Sequence, residues 1–78
     1  MQHSIHLIRT EAALNMARFY QIGLQPTLFG EVALLRRWGR IGTLGQQKMQ
    51  SFAGVEAALV AQARLAQAKQ RRGYRPVP

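Results

Sequence analysis

The 78-residue chain has no cysteine and no aspartate, and its acidic side chains are limited to three glutamates. Without cysteine, the chain can form neither a disulfide framework nor a thiolate metal site. The glutamates stand at positions 11, 31 and 56, too far apart in sequence to suggest a catalytic carboxylate pair. The sequence pattern gives neither Ser4 nor Ser51 an evident histidine partner that would activate it as a nucleophile. We therefore expect a protein that is not an enzyme, with no metal, no other cofactor and no small-molecule substrate.

A long apolar run is also missing. Gln2, His3, His6 and Arg9 interrupt the N-terminus, which therefore lacks the apolar core of a signal peptide. No segment approaches the roughly 20 apolar residues of a membrane span. We expect a cytoplasmic protein, associated with the nucleoid if its partner is DNA.

Basic residues, by contrast, are abundant. The lysines and arginines number 11 and leave a net charge of +8 at neutral pH. A field of this sign attracts polyanions and accelerates their encounter with the protein. Nucleic acid is the first partner to expect, and an acidic protein or an anionic membrane is the second.

Alternating apolar and polar residues predict four β-strands, at about residues 3–9, 17–25, 31–41 and 46–52. Pro26 ends the second strand, and the glycine-bearing segment 42–45 is typical of a hairpin turn. In the third strand, the period of two places Trp38 on the same face as Arg36 and Arg40. Full burial of Trp38 is therefore not expected.

The alanine-rich segment at about residues 54–72 predicts one helix. Glu56 lies in its first turn and Arg71 and Arg72 in its last, as the helix dipole favours, and Gly73 follows as a C-terminal cap. The bulky apolar surface of this helix is too thin to favour attachment to a membrane.

Together these elements predict a single α+β domain over residues 1–75. Its expected architecture is a small antiparallel four-stranded β-sheet with one C-terminal α-helix packed on one face. Residues 76–78 are expected to form a frayed tail.

The segment 36–45 combines the residue types that hold a nucleic-acid backbone, since it contains the one tryptophan, three arginines and three glycines. Guanidinium groups pair with phosphates, and an indole face stacks on a sugar or base. An alternative stays open, because a tryptophan at a strand end is commonly a core anchor and neighbouring arginines commonly face water. Lys69 presents the same choice at the helix end: its ammonium emerges over the sheet, or its stem covers apolar surface.

These residues resemble a known family. Trp38-Gly39-Arg40, followed by Ile41-Gly42 and Gly45-Gln46, looks like the signature of the WGR domain. The preceding Arg18-Phe19-Tyr20 and the later Lys69 and Tyr74 are similar to the segments that flank the signature in that family. The closing Arg-Arg-Gly-Tyr is typical of its short bacterial members.

The resemblance implies a compact antiparallel sheet with a C-terminal helix, and a role in holding nucleic acid. WGR domains of DNA-dependent poly(ADP-ribose) polymerases bind at a strand break, where the tryptophan packs on the sugar of the terminal nucleotide beside the motif arginine. A lysine, a tyrosine and an asparagine help to hold the 5′-phosphate. By position, the resemblance assigns these roles to Trp38, Arg40, Lys69, Tyr74 and Asn15. No catalytic domain accompanies the motif, so ADP-ribosylation is not implied.

The sequence thus predicts a non-enzymatic nucleic-acid-binding module, with DNA as the first partner, 5′-phosphorylated ends or breaks as its target, and DNA repair as its context. The predicted binding residues are Trp38, Arg40, Lys69, Tyr74, Arg36, Asn15, Arg18 and Arg72. Two alternatives remain: a protein-interaction adaptor that docks an acidic partner through the same basic face, and an RNA binder. No catalytic residue and no metal ligand is predicted.

Overall fold

An antiparallel sheet and one helix make up the fold in the computed structural model, which describes residues 3–77 (for residue 3, the backbone only). The elements are β1 (His3–Glu11), β2 (Met16–Pro26), β3 (Val32–Arg40), β4 (Gln46–Phe52), α1 (Val55–Arg71) and β5 (Arg75–Pro76). One turn of 3-10 helix, Ala12–Leu14, joins β1 to β2. The strand order is β4-β3-β2-β1-β5, and neighbouring strands pair antiparallel throughout.

The predicted α+β class is confirmed, with a C-terminal helix on one face of an antiparallel sheet. β5 adds a short edge strand to the four that the alternation predicts. The ends of the main strands also differ from the expected ones. β1 continues to Glu11 because its ladder with β2 stays paired up to Met16, and Pro26 closes β2 opposite Val32 instead of following the strand.

The chain after the helix differs from the frayed tail expected at 76–78. Pro76 lies opposite Leu7 of β1, and the N–H of Val77 donates to the carbonyl of His6 at 3.0 Å. Proline is tolerated here because β5 is an edge strand, whose outer side needs no donor. Gly73, in left-handed backbone with φ of 97°, turns the chain from α1 back toward β1. Residue 78 lies outside the described residues.

The core lies between α1 and the face of the sheet that carries Ile22. Leu7, Ile22 and Leu34 are its largest fully buried side chains, and the burial of each contributes about 1.5–3 kcal/mol. α1 presents short side chains such as Ala58 to the sheet, so its axis can lie close to the strands. Within residues 3–77, no helix combines the length and the apolar character needed to cross a bilayer.

A polar side chain, Gln62, occupies the buried face of α1, which the sequence pattern did not indicate. It is 4% exposed, and its Nε2 donates to the carbonyl oxygen of Ile22 at 2.8 Å. A buried amide is costly unless it is hydrogen-bonded, so this bond selects one placement of the helix on the sheet. It ties the middle of α1 to β2 and thereby fixes where the last turn of the helix lies.

We expect Gln62→Ala to lower the free energy of unfolding by about 2 kcal/mol, because it removes a buried hydrogen bond and leaves a cavity. Urea denaturation followed by circular dichroism measures the change. Gln67→Ala, at an exposed position of the same helix, is the matched control and should alter stability by less than about 0.5 kcal/mol. Equal losses for the two variants would contradict the anchoring role of Gln62.

Candidate functional site

Two aromatic rings form the floor of the site, near the start of β2 and the end of β3. Tyr20 and Trp38 lie directly opposite each other in the ladder, with ring centroids 6.1 Å apart and an interplanar angle of 22°. Tyr20 is 4% exposed, whereas Trp38 is half-buried and packs against the edge of the core. The indole therefore anchors the core edge and still offers surface to a ligand.

Lys69, in the last turn of α1, lies over this aromatic floor. Its Nζ is 4.6 Å from the centroid of the Tyr20 ring and 5.5 Å from that of Tyr74. Tyr74 in turn meets Tyr20 edge-on, at 6.4 Å and 76°. An ammonium over a ring face is attracted by the quadrupole of the ring. Of the two placements that the sequence left open, the ammonium takes the one over the sheet.

Two arginines of β3 flank the indole. The guanidinium carbon of Arg36 is 5.8 Å from the centroid of the Trp38 ring. Arg40 donates from Nη1 to the carbonyl oxygen of Asn15 at 3.1 Å, and from Nη2 to Asn15 Oδ1 at 3.4 Å. Asn15 caps the 3-10 turn in left-handed backbone (φ 50°, ψ 41°), which asparagine tolerates better than most residues. Asn15 therefore orients the fork of Arg40.

These side chains line two adjoining depressions of about 510 Å³ each, which we call the helix-side groove. Tyr20, Trp38 and Lys69 line both depressions, so the indole and the ammonium stand where the two meet. The first depression is completed by Arg36, Gln46, Gln47 and Lys48, and the second by Arg18, Gly39, Arg40 and Tyr74.

Like charges crowd around Lys69. Burial is the largest cause that lowers the pKa of Lys69 from its usual 10.5, and repulsion from Arg72, Arg36 and Arg18 lowers it further. A phosphate bound in the groove would raise the pKa of Lys69 again, because its negative charge stabilises the ammonium and offsets the repulsion from the arginines.

Acidic side chains do not neutralise the groove. Among the side chains of residues 4–77, the one ion pair joins Arg9 to Glu11 at 3.2 Å, and neither residue lines the groove. The same part of the chain has no group of three or more histidine, cysteine, aspartate or glutamate residues able to hold a metal ion. The groove offers cations and aromatic faces, a combination suited to an anionic ligand with flat or apolar parts.

Most of the predicted binding residues come together in the structure. Those that line the helix-side groove are Trp38, Arg40, Lys69, Tyr74, Arg36 and Arg18. Asn15 stands beside Arg40 as its acceptor. Arg72 is exposed and does not line either depression, but its charge acts on Lys69. The binding roles of all these residues stay predictions.

Tyr20 and Lys48 also line the groove, although they are not among the binding residues predicted from the sequence. Tyr20 lies two residues before Ile22 and shares its face of the strand, so the pattern indicates one more core residue. Lys48 lies opposite Arg36 in the β3–β4 ladder. Counting outward from the predicted turn at 42–45 pairs position 36 with position 51 and places Lys48 opposite Gly39, on the other face, so the predicted turn did not indicate that Lys48 lines the groove.

Comparisons with known proteins show which proteins this chain is similar to. The family model for the WGR domain matches residues 3–78. The uncharacterized protein y4dW of Sinorhizobium fredii is 42% identical over 76 residues, which cover 97% of this chain and 37% of that protein. The crystal structure of a Bacteroides fragilis protein superposes with a TM-score of 0.81 at 18% identity, over 97% of this chain and 20% of that one. At that identity the likeness concerns the fold alone. The chain spans well under half the length of each of these two proteins.

Replacing Lys69 by methionine tests the crowding of charge. Because its pKa is lowered, the ammonium destabilises the folded state at neutral pH, and this effect fades as the pH rises through the lowered pKa toward 10.5. We expect Lys69→Met to raise the unfolding temperature at about pH 7, with the gain shrinking as the pH approaches 10.5. Arg64→Met, at an exposed position of α1, should show no such pH-dependent gain. A lower unfolding temperature for Lys69→Met would mean that the ring contacts outweigh the repulsion.

Proposed function

The chain belongs to the WGR domain family, and from that membership we propose that its helix-side groove binds DNA at breaks whose strand ends carry a 5′-phosphate. WGR domains bind nucleic acids in other proteins. The observation that carries the proposal is the convergence of Trp38, Arg40 and Lys69 on one accessible and cationic part of the surface. Catalysis is not part of the proposed function.

The indole suits the end of a strand better than its interior. Inside a continuous duplex each base is stacked on both sides, whereas at a break the terminal nucleotide can unstack and expose its sugar and one face of its base. Trp38 is held by its stacking contact with Tyr20 and by packing against the edge of the core, so it presents a rigid apolar surface. Such a surface can take the place of the lost stacked base without sequence preference, because every nucleotide has a sugar and a base face.

The cations suit a terminal phosphate better than an internal one. A phosphate monoester carries about −1.5 to −2 charges at neutral pH, more than a diester within the strand. Lys69 and Arg40 line the same depression as Tyr74, which brings a phenolic hydroxyl. The guanidinium fork of Arg40 is already oriented by Asn15, so less side-chain entropy is lost when it pairs with phosphate oxygens.

We expect Arg40→Ala to weaken binding to a nicked duplex with a 5′-phosphate by about tenfold or more, and to matter less when that phosphate is absent, because the phosphate contact is removed. Fluorescence anisotropy between about 50 and 200 mM salt measures the affinities. With five or six phosphate contacts, the native log–log salt slope should be about −5, and about one unit shallower in the variant.

Arg64→Ala, which removes an equal charge at an exposed position of α1, is the matched control for Arg40→Ala. Identical affinities of the two variants for the phosphorylated nick would sink the proposal. An RNA duplex of equal length that competes better than DNA would support the RNA alternative. Displacement of DNA by an acidic peptide at lower concentration than by the nicked duplex would support the adaptor alternative.

Trp38 supplies both a reporter and a test. We expect its fluorescence to be quenched when the phosphorylated nick binds, because the terminal sugar and base come to rest on the indole. Trp38→Leu should weaken that binding by roughly 5- to 150-fold, the equivalent of about 1–3 kcal/mol of stacking. Circular dichroism checks that the variant still folds. Unchanged emission at saturating DNA would show that the indole does not contact the ligand.

A further inference from the structure

A second group of aromatic, basic and hydrogen-bonding side chains lies on the face of the sheet that α1 leaves uncovered, here called the open face. It carries the strand residues that alternate with the core-facing ones, among them His6, Phe19, Gln21 and Arg37. No described side chain that β1 to β4 place on this face is a carboxylate. The proposed function of the helix-side groove uses none of these side chains.

Arg37 and Phe19 form the centre of the open face. The guanidinium carbon of Arg37 lies 5.3 Å from the centroid of the Phe19 ring, and both side chains are half-buried. The Nε of Arg37 is shielded from solvent and has no hydrogen-bond partner within residues 4–77. The pair therefore combines a guanidinium plane with an aromatic ring, and unpaired nucleobases stack on both kinds of group.

Hydrogen-bonding groups surround this pair. Two shallow depressions, of about 250 and 240 Å³, adjoin on the open face, and Gln21 and Arg37 line both of them. The Nε2 of Gln21 donates to Nδ1 of His6 at 2.8 Å, so an amide and an imidazole are held in fixed orientation beside the ring. Amide and imidazole groups can pair with the exposed edges of a base that no complementary strand occupies.

We propose that the open face binds an unpaired DNA strand, with one base stacked on the Arg37–Phe19 pair and with Gln21 and His6 facing the edges of the bases. The absence of carboxylates and the positive charge of Arg37 complement a phosphate backbone. A duplex keeps its base faces inside the stack, so a flat stacking surface selects unpaired bases. The choice of DNA rests on the proposed function, whereas the arguments from charge and stacking do not.

The chain also provides a route between the two faces. Gly39 and Arg40 line the helix-side groove, and the next three residues, 41–43, line the larger depression of the open face. A strand displaced at a break would therefore meet the open face after passing around the turn that follows β3. One DNA molecule with a break and an unpaired tail could occupy both faces at once.

The experiment measures fluorescence anisotropy with three probes. They are single-stranded oligo(dT), a nicked duplex with a 5′-phosphate at the nick, and the same duplex in which an unpaired oligo(dT) tail extends the 3′ end at the nick. The variants are Arg37→Gln, its matched control Arg64→Gln, and Lys69→Met. We expect Arg37→Gln to weaken oligo(dT) binding at least about fivefold relative to Arg64→Gln. It should also abolish the gain in affinity from the tail and leave the tail-less nick unchanged.

Met49→Glu provides a second variant should Arg37→Gln fail to fold. Met49 is 63% exposed on the same face, opposite Leu35, so the substitution adds a carboxylate without disturbing the core. It should weaken oligo(dT) binding through repulsion of the backbone and leave the tail-less nick unaffected. Thermal melting checks that each variant is folded.

The outcomes separate this inference from the proposed function. Equal oligo(dT) binding by Arg37→Gln and Arg64→Gln would overturn the inference. The inference would also be overturned if oligo(dT) quenches the fluorescence of Trp38 and Lys69→Met is the one variant that weakens its binding. A stronger, Arg37-dependent binding of oligo(rU) would overturn the assignment to DNA. If Lys69→Met leaves the nicked duplex unaffected while Arg37→Gln still weakens oligo(dT), the proposed function fails and the open-face site stands.

Discussion

The pairing of Tyr20 with Trp38 across β2 and β3 is the constraint on which both faces of the molecule depend. Because side chains alternate along a strand, a register slip of one residue would carry Trp38 to the open face and Arg37 to the helix side. The core forbids that slip, since it would also expose Leu34 to water. Gln62 adds a polar tie between α1 and β2. The site therefore takes its geometry from the same contacts that stabilise the fold.

The positive charges in and around the helix-side groove repel one another and thereby lower the stability of the folded state. Lys69 sits among arginines that lower its pKa, with two aromatic rings as partial compensation. Acidic residues placed among these cations would relieve the repulsion, but they would also occupy the donors that a phosphate needs. The scarcity of acidic residues in the sequence is therefore the reason why the cations of the groove have no carboxylate partners. Glu11, which does form an ion pair, binds Arg9 and lines neither depression of the groove.

Sequence periodicity and turn signals predict the four main strands, the helix and the gathering of Trp38 with two arginines of its own strand. The short edge strand could not be predicted, because a two-residue segment has no periodicity and Pro76 argues against a strand. Gln62 is polar, and its burial depends on how α1 is rotated against the sheet. The contact of Asn15 with Arg40 joins residues 25 positions apart. Such contacts are set by tertiary packing, which local pattern does not encode.

β3 supplies side chains to both faces of the sheet, because its alternation sends Arg36 and Trp38 to one side and Arg37 to the other. The strand is paired on both edges, with β2 and with β4. A ligand on one face cannot shift β3 without breaking ladder hydrogen bonds on both sides, so this strand does not readily transmit a change from one face to the other. Two separate ligands should therefore bind independently. Any cooperativity must come from one DNA molecule that spans both faces, whose first contact raises the effective concentration of its tail at the second.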